Sequence, residues 1–266
     1  MLHTMQIGQG VPRIAYLHGL LGQGKNLATV AKAVSATDPG LLIDLPNHGR
    51  SAWTASFGYA EWADRVAETL REHLPAGTPI TVLGHSMGGK TAMALALRHP
   101  SLVRALVVAD ISPDDSSHGY GFGRLVNGLR TLPLDQVRTR EDADRLLAAT
   151  VPDAGVRAFL LQNLHRARPE GWRWLPNLDL LAASLPQISG WPAGLRGPFQ
   201  GPVLWLRGAD SGYVTDEHGP AMRALFPRTR LVTIKNAGHW LHADQPQAVA
   251  ATLQAFLDQL RPALGR

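Results

Sequence analysis

A serine flanked by glycines, placed directly after a run of strand-forming residues, constrains this chain more than any other feature. The run Ile80–Leu83 is apolar and β-branched, and the pattern Gly-x-Ser-x-Gly follows at once at residues 84–88. A sharp strand-to-helix turn strains the backbone of such a serine, and bulky side chains two positions away would clash with neighbouring chain. Gly84 and Gly88 meet that requirement. The sequence therefore predicts a strand, a tight turn carrying Ser86, and a helix that includes Lys90–Arg98.

This predicted turn makes Ser86 a candidate nucleophile. The serine hydroxyl projects from the turn, and the helix that begins beneath it presents backbone N–H groups at its N-terminus. The N–H of Met87 can then point at negative charge developing on a substrate oxygen. Ser86 and Met87 are therefore interpreted as nucleophile and oxyanion donor.

Length and composition narrow the possible classes of protein. The 266 residues suffice for one α/β domain with an insertion, and the absence of cysteine excludes disulfides and cysteine-rich zinc sites. The net charge is +5, but no dense basic run is interleaved with aromatic residues, so nucleic acid is not an expected partner. No apolar run approaches the roughly 20 residues of a membrane span, and the N-terminus lacks a signal pattern. We expect a cytoplasmic protein without a membrane partner.

Predicted strands and helices alternate along most of the chain. Apolar runs predict strands, and apolar residues at helical spacing predict helices. The predicted strands are Arg13–His18, Leu41–Leu45, Ile80–Leu83, Leu102–Ala109, Val203–Arg207 and Leu231–Ile234, and the main predicted helices are Leu27–Ser35, Tyr59–Leu74, Lys90–Arg98, Glu217–Phe226 and Gln247–Leu260. This alternation is typical of a mostly parallel sheet with helices on both faces and ligands at the carboxyl ends of the strands.

The alternation stops after residue 112. Residues 113–198 contain no convincing strand and predict short helices, among them Val156–His165 and Leu178–Leu185, with Thr139, Asp153 and Asn177 as helix N-caps. We expect a core of residues 1–112 and 199–266, and a helical cap of residues 113–198 that roofs the strand ends.

Two further strand ends carry candidate catalytic groups. His18 and Gly19 follow the first long strand, in a turn that can aim the Leu20 N–H at the substrate oxygen beside Met87. His239 follows the last strand, directly after a glycine, and is the candidate general base that takes the proton of Ser86.

The acid that orients His239 has two candidates. Asp110 follows one predicted strand and Asp210 follows another. Most enzymes with this Ser…His order carry the acid three residues beyond the glycine that here is Gly208, a position taken by Ser211. Asp210 falls one residue short of it.

Seven segments carry a family resemblance. Residues 18–22, 44–51, 84–90, 110–113, 159–164, 212–217 and 237–243 resemble the YbfF-type bacterial esterases and their mitochondrial relatives, within the α/β-hydrolase fold superfamily. Asn-His-Gly at residues 47–49 and Phe-Leu-Leu-x-Asn-Leu at residues 159–164 are more specific than the serine turn, which the whole superfamily shares. The resemblance runs from residue 14 to about residue 257, through the cap.

What the resemblance implies is a mostly parallel eight-stranded sheet and hydrolysis of small acyl esters by Ser86, His239 and an aspartate. Family members keep an aspartate that matches Asp110 and commonly show asparagine at the position of Asp210, which favours Asp110. No cofactor and no metal are implied, and the expected partner is a small-molecule ester.

Five aromatic residues are candidates either for substrate binding or for packing. Trp240 and Phe159 are candidates for the acyl pocket, whereas Trp172, Trp174 and Trp191 serve equally well as the core of a small cap.

Four other polar residues are not assigned to catalysis. Asp44 is expected to hold its own loop, Lys90 to be packed or solvated, and His242 to lie beside the site or on the surface; the role of His48 stays open.

Several function classes remain open. A thioesterase, a perhydrolase or acyltransferase, and a carbon–carbon hydrolase would use the same three residues, and a ligand receptor could use the same fold. A serine in place of a carboxylate nucleophile disfavours dehalogenases and epoxide hydrolases. The natural acyl group, the leaving group and the oligomeric state are left open.

Overall fold

The computed structural model describes residues 1–114, 121–167, 169 and 171–261. Its strands are β1 (Thr4–Ile7), β2 (Ile14–Leu17), β3 (Gly40–Ile43), β4 (Ile80–His85), β5 (Val103–Ala109), β6 (Leu164–Ala167), β7 (Gly171–Trp174), β8 (Val203–Gly208) and β9 (Thr229–Ile234). Its α-helices are α1 (Ala28–Val34), α2 (Tyr59–His73), α3 (Met87–Arg98), α4 (Phe122–Arg130), α5 (Arg140–Leu147), α6 (Ala154–Leu161), α7 (Leu178–Ala183), α8 (Leu185–Ser189), α9 (Gly219–Leu225), α10 (Leu241–Asp244) and α11 (Pro246–Leu260). Short 3₁₀ turns cover Gly24–Leu27, Leu134–Gln136 and Asp216–His218.

A central sheet with the strand order β1-β3-β2-β4-β5-β8-β9 organises the fold. Only β1 runs antiparallel to its neighbour, and the other pairs are parallel. The carboxyl ends of β4, β5 and β8 therefore lie side by side at one edge, which is where the predicted site residues are found.

Helices cover both faces of this sheet because its strands are apolar on both sides. Tyr16 and Leu42 pack toward α1 and α11, and Leu17 and Ile43 pack toward α2 and α3. Alternate residues of one strand thus enter two different cores, as the two-residue period of a strand requires.

The described residues contribute seven strands to this sheet, and not the expected eight. The prediction also missed β1, whose residues are partly exposed because it lies at the antiparallel edge of the sheet. Residues 8–13 connect β1 to β2, with Gly8 and Gly10 at positive φ.

The expectation of no strand within residues 113–198 is wrong. β6 and β7 form an antiparallel hairpin, and the predicted helix Val156–His165 accordingly ends at Leu161. The buried amide of Asn163 stands at this change of direction and donates to the carbonyl of Leu21.

The helix starts in this region agree with the prediction. Thr139, Asp153 and Asn177 accept hydrogen bonds from backbone N–H groups three residues further on. The predicted helix Leu178–Leu185 is two short helices, because Pro186 opens a new one.

No helix in the described part of the chain has the length and apolar character needed to cross a bilayer.

Candidate active site

Ser86 stands on the tight turn between β4 and α3, with φ 54° and ψ −122°. A Cβ at Gly84 would lie 2.2 Å from the carbonyl oxygen of Gly88, and a Cβ at Gly88 would lie 2.4 Å from the carbonyl oxygens of Leu17 and His18. No side chain fits at such distances. The two glycines are therefore required because the turn passes this close to itself and to the end of β2.

Ser86, His239 and Asp110 form one chain of hydrogen bonds. The Nε2 atom of His239 lies 2.9 Å from the Ser86 Oγ atom, and the Nδ1 atom lies 2.9 Å from the Asp110 Oδ2 atom. His239 is nearly buried and Asp110 is wholly buried. With Nδ1–H donating to the carboxylate, Nε2 is free to accept the serine proton.

Asp110 lies immediately after β5 and is held by β8 and the loop that follows it. Its Oδ1 atom accepts the backbone N–H of Gly208 at 2.9 Å, and its Oδ2 atom accepts the hydroxyl of Ser211. Asp210 is exposed, and its backbone N–H donates a hydrogen bond to the carbonyl of Ala237. The structure thus places Asp110, and not Asp210, against His239.

Two contacts of His239 have no counterpart in the sequence prediction. The ring of Tyr213 stacks on His239 with centroids 3.7 Å apart and planes 18° apart. On the other side, the Nε2–H of His85 donates to the His239 carbonyl oxygen at 2.8 Å. Burial, followed by the neighbouring His242 and His239, places the pKa of His85 well below its ordinary value, so His85 is neutral.

The loop that follows β2 presents the predicted oxyanion donor. Leu20 lines the same pocket as Ser86, and Met87 begins α3. Within the described ranges, no group accepts a hydrogen bond from the N–H of either residue. Both N–H groups are therefore available to a substrate oxygen.

Two buried histidines hold this loop in place. His48, whose role the sequence left open, accepts the Leu21 N–H at its Nε2 atom and donates from Nδ1 to the Pro46 carbonyl. Burial, together with the neighbouring His18, lowers the pKa of His48 to about 3. His18 likewise accepts the Leu45 N–H and donates to the Gly19 carbonyl. Since both rings are neutral, each can accept at one nitrogen and donate at the other.

Asp44 holds its own loop, as predicted. Its carboxylate accepts the backbone N–H groups of Gly24 at 2.7 Å and of Arg50 at 2.9 Å.

Lys90 is wholly buried, one helical turn beyond Ser86. Its ammonium group donates to the carbonyl oxygens of Asp114, Ser189 and Gly190 at 2.8, 2.5 and 2.9 Å.

The free space above Ser86 is narrow. The pocket that Ser86 and His239 line holds about 10 Å³, which is room for about one water molecule. Phe159 and Trp240 also line it, with ring centroids 6.2 Å apart. The same two side chains line a groove of about 700 Å³ between α6 and α10. Phe159 and Trp240 therefore lie between the narrow pocket and the wide groove.

The described residues contain no group of three or more His, Asp or Glu side chains arranged to hold a metal ion.

Comparison with known proteins identifies the family. Residues 12–246 match the alpha/beta hydrolase fold family, and the chain belongs to it. The chain is 38% identical over 255 residues to the sn-1-specific diacylglycerol lipase ABHD11 of Mus musculus, covering 93% of this chain and 81% of the mouse protein. It is 30% identical over 248 residues to Esterase YbfF of Escherichia coli, covering 92% of each chain.

A solved structure supports the same conclusion. A marine microorganism esterase superposes with a TM-score of 0.90 at 32% identity, covering 96% of this chain and 98% of that chain. The expected α/β-hydrolase fold and the resemblance to YbfF-type esterases are confirmed, and the chain is a hydrolase of the esterase and lipase type.

Proposed function

We propose that this protein is a carboxylic ester hydrolase that works through an acyl-enzyme on Ser86. The observation that carries the proposal is the unbroken chain of hydrogen bonds from Ser86 through His239 to Asp110. A serine hydroxyl is a weak nucleophile unless an adjacent base removes its proton, and an oriented imidazole supplies that base.

The reaction begins when Ser86 Oγ attacks the ester carbonyl carbon and its proton passes to His239 Nε2. The bond between carbonyl carbon and leaving oxygen then breaks, and His239 returns the proton to the departing alcohol. Water attacks the acyl-serine ester in the second half, again giving its proton to His239, and the carboxylic acid leaves as Ser86 regains its hydrogen.

The N–H groups of Leu20 and Met87 stabilise the oxyanion that forms in both halves of the reaction. They are backbone groups fixed before substrate arrives, by the histidine-supported loop and by the start of α3. A preorganised donor of this kind contributes on the order of 10²–10³ in rate.

Asp110 keeps the Nδ1 proton on His239 and stabilises the imidazolium that forms during attack. The carboxylate also accepts the Gly208 N–H and the Ser211 hydroxyl, which hold it in position beside the imidazole. Tyr213 packs flat against the imidazole and limits its rotation.

Residues 113–198 form the cap in this proposal, and residues 1–112 and 199–266 form the core. Phe159 from the cap and Trp240 from the core line the acyl pocket. Because the space beside Ser86 is small, acyl chains of short to medium length are the proposed substrates.

Ser86→Ala tests the assignment directly. The variant should fold normally and lose at least about 10⁴-fold in esterase turnover on p-nitrophenyl esters. A fluorophosphonate should label the wild-type protein and leave the variant unlabelled. Labelling at another serine, or activity retained by the folded variant, would exclude the proposed nucleophile.

Glyceride hydrolysis is a second candidate, favoured by the identity to the mouse protein named as a diacylglycerol lipase. Turnover of diacylglycerol compared with short-chain p-nitrophenyl esters separates the two. Thioesters, alcohols and peroxide as alternative substrates or acceptors test the thioesterase, acyltransferase and perhydrolase alternatives on the same purified protein.

A further inference from the structure

A further cleft, distinct from the narrow pocket and the wide groove described above, lies away from Ser86. It holds about 630 Å³ between the core residues 49–53 and the β6–β7 hairpin, and it shares no lining residue with the pocket at Ser86. This volume falls within the usual range of small-molecule sites, about 300–1,000 Å³.

The cleft is lined by four cations that have no acidic neighbour among its lining residues. Lys25 and Arg50 come from the core, and Arg140 and Arg173 come from α5 and β7. Throughout the residues that the structure describes, no carboxylate lies within 4 Å of any of these four charged groups. The nearby carboxylate of Asp44 is buried beneath the cleft, where it accepts the Arg50 backbone N–H.

Several arginines elsewhere in the described ranges do form ion pairs. Arg65 pairs with Glu61, Arg98 with Asp64, and Arg157 with Asp144. Positive charges gathered in one cleft without ion-pair partners repel one another. They also raise the local concentration of anions. The cleft therefore has the electrostatics of a site for a ligand with more than one negative charge.

The guanidinium groups differ in how they are held. Arg140 is anchored, since it donates to the carbonyl oxygens of Leu161 and Leu164 and lies 5.8 Å from the ring centroid of Trp172. The side chains of Arg50 and Arg173 donate no hydrogen bond within the described ranges, and they line the same cleft from the core and from the hairpin. Their donors are available to a bound oxyanion, which each can grip with two parallel hydrogen bonds.

An exposed indole completes the cleft. Trp53 is 59% exposed, yet its Nε1–H donates to the Leu175 carbonyl at 2.9 Å, which fixes the ring on the hairpin side. A rigid aromatic face beside cations offers stacking to the organic part of an anionic ligand.

We propose that this cleft binds a phosphate-bearing ligand, with Arg50 and Arg173 gripping the phosphate oxygens and Trp53 packing against the rest of the ligand. A phosphate group carries about −1.5 to −2 charge at pH 7 and three strong acceptor oxygens, which suits a cleft lined by four cations better than a single carboxylate does. The ligand would join the hairpin to the core. The proposal does not depend on the esterase assignment, because binding at this cleft needs none of the residues around Ser86.

Isothermal titration with inorganic pyrophosphate at low ionic strength tests the site. The wild-type protein should bind, and the double variant R50Q/R173Q should bind about tenfold more weakly or worse, since each removed guanidinium takes charge-assisted hydrogen bonds with it. The matched control is R13Q/R196Q, which removes the same charge from two exposed arginines outside the cleft. Its affinity should equal that of the wild type.

Sedimentation with phosphatidylglycerol vesicles separates a free phosphate compound from a lipid headgroup. Vesicle binding that R50Q/R173Q loses and R13Q/R196Q keeps would identify the headgroup as the source of the phosphate. Equal loss in both variants would show only a general effect of net charge and would overturn the site. Absence of binding to both pyrophosphate and vesicles would overturn it as well, whatever the outcome of the Ser86 experiment.

Discussion

Asp110 owes its position to its backbone as well as to its neighbours. The residue has a φ of 53°, in the left-handed region that non-glycine residues seldom occupy. This turn at the end of β5 directs the carboxylate toward β8, where the Gly208 N–H and the Ser211 hydroxyl meet it. Ser211 occupies the position where most such enzymes carry the acid. A hydroxyl there supports a carboxylate delivered from the neighbouring strand.

Asp110→Asn should lower kcat for p-nitrophenyl esters by roughly 10²–10⁴-fold with little change in KM, because the amide leaves His239 in the wrong tautomer. Asp210→Asn removes a carboxylate of the same type from an exposed loop position and serves as the matched control. It should retain most of the activity. The reverse order of the two kcat values would transfer the role to Asp210.

Lys90 joins α3 to residues near both ends of the stretch 113–198. Three carbonyl acceptors surround an ammonium that burial would otherwise make costly. Because α3 begins directly after Ser86, this contact ties residues 114, 189 and 190 to the helix that carries the Met87 N–H. This contact could not be predicted from local sequence, since the carbonyl partners Ser189 and Gly190 lie about a hundred residues further along the chain.

Lys90→Met should lower the free energy of unfolding by about 2–4 kcal/mol, because several buried carbonyl groups lose their donor while the cost of burying the charge is relieved. Urea denaturation measures the change. Lys32→Met, at an exposed position of α1, makes the same substitution without that loss and should change stability by less than about 0.5 kcal/mol. Equal effects of the two substitutions would contradict the buried contact.

Phe159 and Trp240 should control acyl-chain length. Alanine at either position joins the narrow pocket to the wide groove, so kcat/KM for longer acyl esters should rise relative to acetyl and butyryl esters, with folding little affected. A series of p-nitrophenyl esters of increasing chain length measures the shift. Leu146→Ala, a truncation at a partly exposed position of α5 outside both cavities, should keep the wild-type profile. An unchanged profile in both pocket variants would exclude this pair as the length determinant.

Local sequence predicts part of the site and of the fold, and misses features that depend on distant residues. Ser86 and His239 could be predicted from the residues because each follows a strand, and parallel strand ends meet at one edge of a sheet. The same argument left Asp110 and Asp210 as alternatives, and only the family resemblance favoured Asp110. The stacking of Tyr213 on His239 and the β6–β7 hairpin were not predicted. Tyr213 lies in a loop without periodicity, and the four-residue strands of the hairpin are too short for alternation to mark them.

At the scale of the whole molecule, four buried histidines lie in the pocket that Ser86 lines or in the loops next to it. His18, His48, His85 and His242 are all buried, and burial is the largest cause that lowers the pKa of each. For His242 the pKa falls to about 4. All four stay neutral at neutral pH, and His18 and His48 use that state to accept the backbone N–H groups of Leu45 and Leu21.

The buried histidines should make the protein sensitive to acid. The pKa values of these histidines are lower in the folded protein than the value of about 6.5 in the unfolded chain. Below pH 6.5 the unfolded chain therefore binds more protons than the folded protein does. The stabilising contribution is complete above about pH 6.5 and is lost as the pH falls toward the folded values, about 4 for His242 and about 3 for His48. Each histidine contributes a slope of up to about 1.4 kcal/mol per pH unit.

Urea denaturation between pH 7 and pH 4.5 measures this slope. The free energy of unfolding of the wild-type protein should fall as the pH is lowered. His48→Gln should reduce this slope by up to about 1.4 kcal/mol per pH unit, because one buried titratable group is gone. His165→Gln removes an exposed histidine and should leave the slope as it is. If His48→Gln and His165→Gln show the same slope, His48 does not take up a proton on unfolding. The neutral His48 ring that accepts the Leu21 N–H would then lose its support.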